Sequence, residues 1–123
     1  MKQVLLVFLG GGAGSALRFL LSNYLNPNGS QFYTGTFVAN VLGCLLLGFI
    51  LGSSAKNNWL SAETTLLLGA GFCGGFTTFS TFSFEQYALL KSGNASLFLI
   101  YAFGSLATGL LAVLLGVWLS RFS

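Results

Sequence analysis

Four long apolar stretches, separated by short polar joints, constrain the fold of this chain more than any other feature of its sequence. A helix that crosses the hydrocarbon core of a bilayer needs roughly 20 predominantly apolar residues. The stretches and their joints together use all 123 residues, which leaves no length for a domain outside the membrane. The sequence therefore predicts an all-α membrane protein with one transmembrane domain over residues 1–123 and spans at about 3–24, 32–53, 63–90 and 96–120.

Charged side chains are scarce, which narrows the possible functions. They make up 6% of the residues, against about a quarter in a soluble domain. The chain has no His, and its two acidic residues, Glu63 and Glu85, lie far apart in sequence. Catalysis by paired carboxylates and metal binding by His have almost no raw material, so we expect no enzymatic activity. The five basic residues are scattered rather than clustered, which argues against nucleic-acid binding.

Small residues recur at four-residue spacing in every span. In a bilayer, this spacing lets helix backbones approach closely and pack by dispersion forces. The pairs are Gly10/Gly14, Gly48/Gly52, Gly71/Gly75, Ser105/Gly109 and Ala112/Gly116. Because four thin helices enclose little interior, packing faces on all of them favour assembly with further copies of the chain, and we expect a homo-oligomer.

The distribution of positive charge leaves the orientation in the membrane open. With four spans, Lys2, Lys56 and Arg121 share one side of the bilayer, and Lys91 lies on the other, joined by Arg18 if that residue reaches the surface. Such a small excess is a weak signal under the positive-inside rule. Composition alone allows either an ordinary protein with weak topology or a dual-topology protein whose copies insert both ways and pair antiparallel.

The centre of the third span, GFCGGFTTFSTF, contains more Gly and more hydroxyl groups than a regular helix favours. Gly74 and Gly75 adjoin, and each costs roughly 1 kcal/mol of helix propensity relative to Ala. A helix that unwinds there exposes carbonyls at mid-membrane, where they must be buried in protein, bound to an ion or facing a wet cavity. The span is either a kinked helix packed on its neighbour or broken at its centre. We expect the break, because hydroxyls and aromatic rings crowd the same turn.

An aromatic stripe follows, in which Phe76, Phe79 and Phe82 recur every third residue. Ser80 and Thr81 lie between the last two, so a hydroxyl-bearing stripe runs beside the rings. The edge of an aromatic ring carries partial positive charge, so rings presented edge-on beside hydroxyl donors can hold a small anion. The alternative for the rings is ordinary packing. The alternative for the hydroxyls is a hydrogen bond to carbonyls of their own helix, and it applies to Thr77, Thr78, Ser80, Thr81 and Ser83.

Two other spans each carry a single polar face. Thr36 and Asn40 lie one turn apart in the second span, and Tyr101, Ser105 and Thr108 recur at helical spacing in the fourth. An amide inside the membrane is costly unless it is hydrogen-bonded, so Asn40 either donates to an anion or bonds to another helix. Neutral polar faces on three spans favour one shared pathway.

Arg18 and Glu85 are charged residues that lie within spans. Arg18 either extends to the headgroups, forms a structural ion pair, or lines a vestibule and raises the local concentration of anions. Glu85 follows the aromatic stripe by one turn. It is either a proton or cation site or a polar residue at the end of the pathway.

Three segments of the chain resemble the motifs of one known family. GGGAGSALRF in the first span, GTFVANVLGC in the second and GFCGGFTTFSTF in the third are similar to those of the Fluc/CrcB family of fluoride channels. The resemblance covers essentially the whole chain, with all four spans in order, and the third-span motif is highly specific. It implies a passive fluoride-selective channel in the bacterial plasma (inner) membrane that exports fluoride and relieves its toxicity. It also implies an antiparallel, dual-topology homodimer with two pores at its interface.

The resemblance further implies roles for individual residues. Backbone carbonyls of Gly74 and Thr77 from both subunits would hold a structural sodium ion on the two-fold axis. Arg18 would lie near the vestibule and Glu85 at the end of the pore. Together with the polar face of the fourth span, the resemblance predicts a fluoride pore lined by Asn40, Phe79, Phe82, Ser80, Thr81, Tyr101, Ser105 and Thr108.

Two other functions remain as alternatives. A four-span transporter of the small multidrug type needs a membrane-embedded acid in its first span, where this chain has Arg18 and no acid. A non-conducting structural membrane protein would use its polar faces only to dock partners.

Overall fold

The computed structural model describes residues 1–26, 33–57 and 60–123. The predicted first residue of the second span, residue 32, and the only proline, Pro27, lie outside these ranges. Within the ranges, every regular element is a helix. Four helical segments are long and apolar enough to cross a bilayer: Lys2–Leu25, Thr34–Lys56, Ala62–Lys91 and Ala95–Ser120. The prediction of an all-α chain with four candidate membrane spans is therefore confirmed.

Three of the spans are uninterrupted α-helices: α1 (Lys2–Leu25), α2 (Thr34–Asn57) and α6 (Ala95–Ser120). Each consists mostly of apolar and small residues, and inside a bilayer an α-helix satisfies its backbone groups internally. The start of α6 is fixed by Asn94, whose side-chain oxygen accepts a hydrogen bond from the Leu97 N–H at 3.2 Å and caps the first turn.

The third span contains four helical segments with one interruption. α3 (Ala62–Thr65) continues into a π-helix (Leu66–Cys73) and then into a single turn, α4 (Gly74–Phe76). Thr77 and Thr78, called the extended pair below, leave helical geometry, and α5 (Phe79–Lys91) begins after them. Gly74 and Gly75 are themselves helical. The expectation that the helix unwinds at these two glycines is therefore wrong in position.

The side chains of the two threonines explain where the interruption lies. Thr77 donates both its N–H and its hydroxyl to the Cys73 carbonyl, at 3.0 and 2.8 Å, and so completes the preceding turn. Thr78 is the N-cap of α5, because its hydroxyl oxygen accepts a hydrogen bond from the Thr81 N–H at 3.2 Å. Gly75 has no side-chain oxygen that could cap a helix in this way. The new helix therefore begins after Thr78 rather than after Gly75.

Glycines bring the helices into backbone contact, as their spacing predicted. Gly10 and Gly14 of α1 lie against the third span, where a Cβ added to Gly14 would be 2.8 Å from the Phe76 backbone nitrogen. Between α2 and α6, a Cβ on Gly48 would lie 3.0 Å from the Val113 Cα. Only glycine fits such approaches, and dispersion forces between backbones then hold the helices together. The bundle consists of two tight pairs, α1 with the third span and α2 with α6.

Charged groups mark one end of the bundle. Lys2 Nζ lies 2.6 Å from Glu63 Oε1, which joins the start of α1 to α3. Lys56 Nζ donates to the Arg121 carbonyl at 2.5 Å, which joins the end of α2 to the residue that follows α6. Three basic residues therefore share one end of the molecule, as four alternating spans require. The ion pair is largely exposed, so it adds only about 0–1 kcal/mol to the free energy of unfolding.

We expect Gly14→Ala to lower the free energy of unfolding by about 1–3 kcal/mol, the usual cost of overpacking. The added methyl group would press on backbone atoms of Phe72 and Phe76, which cannot move without the third span. Gly12→Ala is the matched control, because a Cβ there meets no atom within 4 Å. The thermal midpoint in detergent measures both variants, and equal midpoints would contradict the backbone contact.

Candidate functional site

Asn40 of α2 holds the extended pair in place. Its Oδ1 accepts a hydrogen bond from the Thr78 N–H at 2.7 Å, and its Nδ2 donates to the Thr78 carbonyl at 3.2 Å. The amide thus pairs with a single backbone residue of another span, which is the bond between helices considered for Asn40. An amide nitrogen carries two hydrogens, so the described residues leave one of them for another acceptor.

Two carbonyl oxygens before α5 lose their usual partners. In a continuous α-helix, the N–H of residue i+4 bonds to the carbonyl of residue i. Here the Thr78 N–H bonds to Asn40 instead of the Gly74 carbonyl, and the Thr81 N–H bonds to the Thr78 hydroxyl instead of the Thr77 carbonyl. Within the described part of the chain, no hydrogen bond reaches the carbonyl oxygens of Gly74 and Thr77.

The Gly75 carbonyl also lacks its helical partner, but α1 supplies two donors in its place. Ser15 Oγ and Arg18 Nε each donate to this oxygen at 3.2 Å. Arg18 is half-buried, and no carboxylate in the described ranges lies within ion-pair distance of it. The guanidinium is therefore bound to the third span at the interruption, and the ion pair considered for Arg18 does not form within the described ranges.

A second polar cluster surrounds Glu85 of α5, which is only 5% exposed. The Thr36 hydroxyl donates to its Oε2 at 2.9 Å, and the Tyr101 hydroxyl donates to its Oε1 at 2.9 Å. Both carboxylate oxygens therefore accept a bond from a neighbouring helix, and such charge-assisted bonds are roughly twice as strong as neutral ones. The cluster connects α2, α5 and α6.

Aromatic contacts connect this cluster to the stripe on α5. The Phe82 and Tyr101 rings meet edge to face, with centroids 4.9 Å apart and planes at 67°. Phe79 follows, with its centroid 6.2 Å from that of Phe82 and a tilt of 40°. In tilted arrangements of this kind, the partly positive edges of the two rings do not point at each other. The stripe therefore extends from the buried carboxylate towards the interruption.

An open groove of about 1130 Å³ runs between α2, the third span and α6. Its walls are mostly apolar, and it is the place where the interruption, the rings and the polar face of α6 meet. Phe79 is 80% exposed, and the Ser105 hydroxyl is buried with no hydrogen-bond partner in the described ranges. The functional candidates among its lining residues are Asn40, Gly74, Thr77, Thr78, Phe79, Phe82 and Ser105.

Residues 5–117 match the family model described as CrcB-like protein, Camphor Resistance (CrcB). The chain belongs to the CrcB family. The match covers all four candidate spans almost completely.

Individual relatives match over nearly their whole length. A protein of Phocaeicola vulgatus is 47% identical over 98% of this chain and 100% of its own length. Proteins of Oceanobacillus iheyensis and Chlorobaculum tepidum are 46% and 45% identical, over 99% and 98% of this chain and 94% and 96% of their own lengths. All three are named fluoride-specific ion channel FluC, a name for ion channels rather than enzymes. With its four candidate spans, this CrcB chain is a multi-pass bacterial membrane protein.

Several residues predicted to line a pore lie outside the groove of this CrcB chain. Ser80 and Thr81 are exposed at the start of α5. The Thr108 hydroxyl donates to the Gly104 carbonyl of its own helix at 2.6 Å, the back-bonding that was the alternative for such hydroxyls. Tyr101 bonds to Glu85 instead of lining the groove. The groove thus gathers Asn40, Phe79, Phe82 and Ser105.

The donors available to a metal ion are backbone oxygens. In the described ranges, no group of three or more His, Cys, Asp or Glu side chains lies together. The carbonyl oxygens of Gly74 and Thr77 are without hydrogen bonds, and both residues line the groove. Unwound backbone carbonyls inside a membrane are established ligands for sodium, so the chemistry of this donor pair fits that ion.

The sequence did not reveal the contacts of three residues in the candidate site. Ser15 carried no motif signal beyond its place before Arg18 in GGGAGSALRF. Thr36 was placed on the same face as Asn40 but was not paired with Glu85, because sequence spacing within one helix does not reveal contacts between helices. Thr78 was considered only as a back-bonding hydroxyl, although Thr is a preferred N-cap residue.

We expect Asn40→Leu to lower the free energy of unfolding by about 2 kcal/mol or more. The substitution leaves the N–H and carbonyl of Thr78 without their side-chain partner, and an unpaired buried polar group costs about 1–3 kcal/mol. Ser105→Ala is the control in the same groove, because its hydroxyl makes no hydrogen bond in the described ranges. Unfolding in detergent measures the stability of both variants. An Asn40→Leu protein as stable as the control would contradict the stabilising role of the two Asn40 hydrogen bonds.

Proposed function

We propose that this protein is a passive fluoride channel that exports fluoride from the cytoplasm and so relieves fluoride toxicity. Its working form is an antiparallel, dual-topology homodimer with two pores and a central structural sodium ion. The names of the CrcB relatives support the substrate. The observation that carries the proposal is the interrupted third span, held by Asn40 beside tilted Phe rings and neutral donors.

Fluoride is small and strongly hydrated, so a pore must offer donors that replace its water. Several weak sites in series allow the ion both to bind and to leave, whereas a fixed full charge would trap it. The remaining N–H of Asn40, the ring edges of Phe79 and Phe82, and the unpaired hydroxyl of Ser105 are such neutral groups. All four residues line one groove, which supports a continuous path.

Glu85 lies at one end of this path. Its carboxylate already accepts from the hydroxyls of Thr36 and Tyr101. A fluoride ion arriving beside Phe82 competes with the carboxylate for the Tyr101 hydroxyl, because both are anions and the hydroxyl has one hydrogen. When the Tyr101 hydroxyl turns from the Glu85 carboxylate to the fluoride ion, the ion gains a donor that carries it past the ring stripe.

A sodium ion at the dimer axis would receive the carbonyl oxygens of Gly74 and Thr77 from each subunit. The support is that these two oxygens have no hydrogen bond in the described ranges and that both residues line the open groove. The ion supplies the positive charge that desolvated carbonyl dipoles require. This chain's part is to hold the two oxygens in place, which Asn40 does by taking up the Thr78 N–H.

A second copy of the chain accounts for the groove itself. A channel protomer that leaves Phe79 80% exposed beside free carbonyls needs another surface to complete the pathway. The weak charge asymmetry of the chain is compatible with insertion in both directions. The alternative of a small multidrug-type transporter finds no support, since the ionisable group of α1 at membrane depth is Arg18, bonded to a carbonyl.

Fluoride flux from liposomes tests the proposed function. We expect purified protein in vesicles loaded with potassium fluoride to release fluoride rapidly when valinomycin dissipates the potassium gradient, as recorded with a fluoride electrode. Chloride-loaded vesicles serve as the selectivity control. Fluoride release no faster than from protein-free vesicles would refute the channel, and would favour a structural membrane protein.

We expect Phe79→Ile and Phe82→Ile each to slow fluoride release at least about tenfold, because a barrier raised by about 1.4 kcal/mol has that effect. Isoleucine keeps the apolar volume but has no partly positive ring edge. Phe84→Ile is the matched control, since Phe84 is on the same helix, 69% exposed and outside the groove. Size-exclusion chromatography verifies that each variant keeps its assembly. Unimpaired flux in both pore variants would reject the ring-edge role.

A further inference from the structure

We propose that Arg18 and Ser15 of α1 are positioning residues for the sodium site. They hold the Gly75 carbonyl on the α1 side of the third span and so keep the Gly74 and Thr77 carbonyls directed into the groove. The inference rests on the proposed sodium-bound channel and deepens it by naming residues that shape the site without touching the ion.

The first observation is the separation of three neighbouring carbonyls into two groups. The Gly75 oxygen accepts two hydrogen bonds from α1, each of 3.2 Å. The Gly74 and Thr77 oxygens accept none in the described ranges, and their residues line the groove between α2, the third span and α6. A peptide unit is planar, so fixing the Gly75 carbonyl also fixes the orientation of the Phe76 N–H that shares its plane.

The second observation is that one face of α1 is built for this contact. Gly14 and Ser15 follow Gly11 by three and four residues and precede Arg18 by four and three, so the four residues lie on one side of the helix. A Cβ added to Gly75 would lie 2.8 Å from the Gly11 Cα, so α1 and α4 touch backbone to backbone. Gly11 and Gly14 allow α1 to approach the third span this closely. The side chains of Ser15 and Arg18, which follow in α1, then determine which carbonyl α1 binds.

The third observation concerns the atom of Arg18 that makes the bond. Nε donates to the Gly75 oxygen, whereas the terminal nitrogens have no partner in the described ranges. A full positive charge would repel sodium if it shared the same oxygens, but here it binds a different carbonyl. Positioning therefore depends on a donor at the Nε position, and the charge is a separate property of the residue.

This separation of donor from charge can be tested by substitution. Nε2 of glutamine is bonded to Cδ, as is Nε of arginine, so Arg18→Gln keeps a donor at the same place along the side chain and removes the charge. Arg18→Met keeps the stem and removes both. Ser15→Ala removes the second donor without altering any charge. Ser22→Ala is the matched control on α1, because Ser22 contacts Gly35 of α2 rather than the third span.

The measurement is the thermal midpoint of the full-length protein in detergent as a function of sodium concentration, with N-methylglucamine holding the ionic strength constant. We expect sodium to stabilise the wild type. The sodium concentration at half-maximal stabilisation should rise roughly tenfold in Arg18→Met and about threefold in Ser15→Ala, the order of one lost hydrogen bond. Arg18→Gln and Ser22→Ala should stay within about twofold of the wild type.

Unchanged sodium dependence in both Arg18→Met and Ser15→Ala would overturn the positioning role while leaving the sodium site intact. The role is also overturned if Arg18→Gln is as impaired as Arg18→Met and Ser15→Ala is not, because charge alone would then matter. If Arg18→Met does not fold, Ser15→Ala still decides the question. A wild type that sodium does not stabilise would remove the sodium site and this inference together, whereas fluoride release from liposomes judges the channel separately.

Discussion

A backbone group that leaves a helix inside a membrane must find another partner, and the rest of this structure follows from how that requirement is met at Thr77 and Thr78. No water is available in the hydrocarbon core, and each unpaired group costs several kcal/mol. Asn40 pairs with both backbone groups of Thr78, and Ser15 and Arg18 bind the Gly75 carbonyl. Two helices, α1 and α2, thus stabilise one interruption.

The arrangement has a directional consequence. The carbonyls of Gly74 and Thr77 remain without hydrogen bonds in the described ranges, and both residues line the groove. The same interruption starts α5 afresh at Phe79, so its ring stripe begins at the groove and ends at the Glu85 cluster. One local departure from helical geometry therefore positions the cation donors and the ring edges together. The proposed sodium ion and fluoride path are two uses of that departure.

Much of the fold was predictable because the bilayer leaves few choices. The apolar runs defined four spans, and the spacing of Gly10 and Gly14 predicted backbone contact, since small residues are what such contact requires. The interruption was expected at Gly74 and Gly75, three residues before Thr77 and Thr78, where it lies. Propensity identifies Gly74 and Gly75 as weak points, but both remain helical, and the capping hydroxyl of Thr78 decides where the next helix begins.

The residues that form the candidate site were more predictable than the contacts that they make. Asn40, Phe79, Phe82 and Ser105 meet at the groove as polar and aromatic faces suggested. The partnership of Thr36 and Tyr101 with Glu85 depends on the relative rotation of three helices, and helical periodicity within one sequence segment carries no information on that rotation. The same limit explains why Arg18 was considered for headgroups or a vestibule, while its Nε binds a backbone carbonyl of another span.

The measurement that tests the central claim most directly is an experimental structure of the protein in a lipid nanodisc with sodium and fluoride present. We predict two antiparallel copies whose grooves face each other, with density for one ion between the Gly74 and Thr77 carbonyls of both. Carbonyls hydrogen-bonded to protein groups with no ion between them, or copies that run parallel, would contradict it.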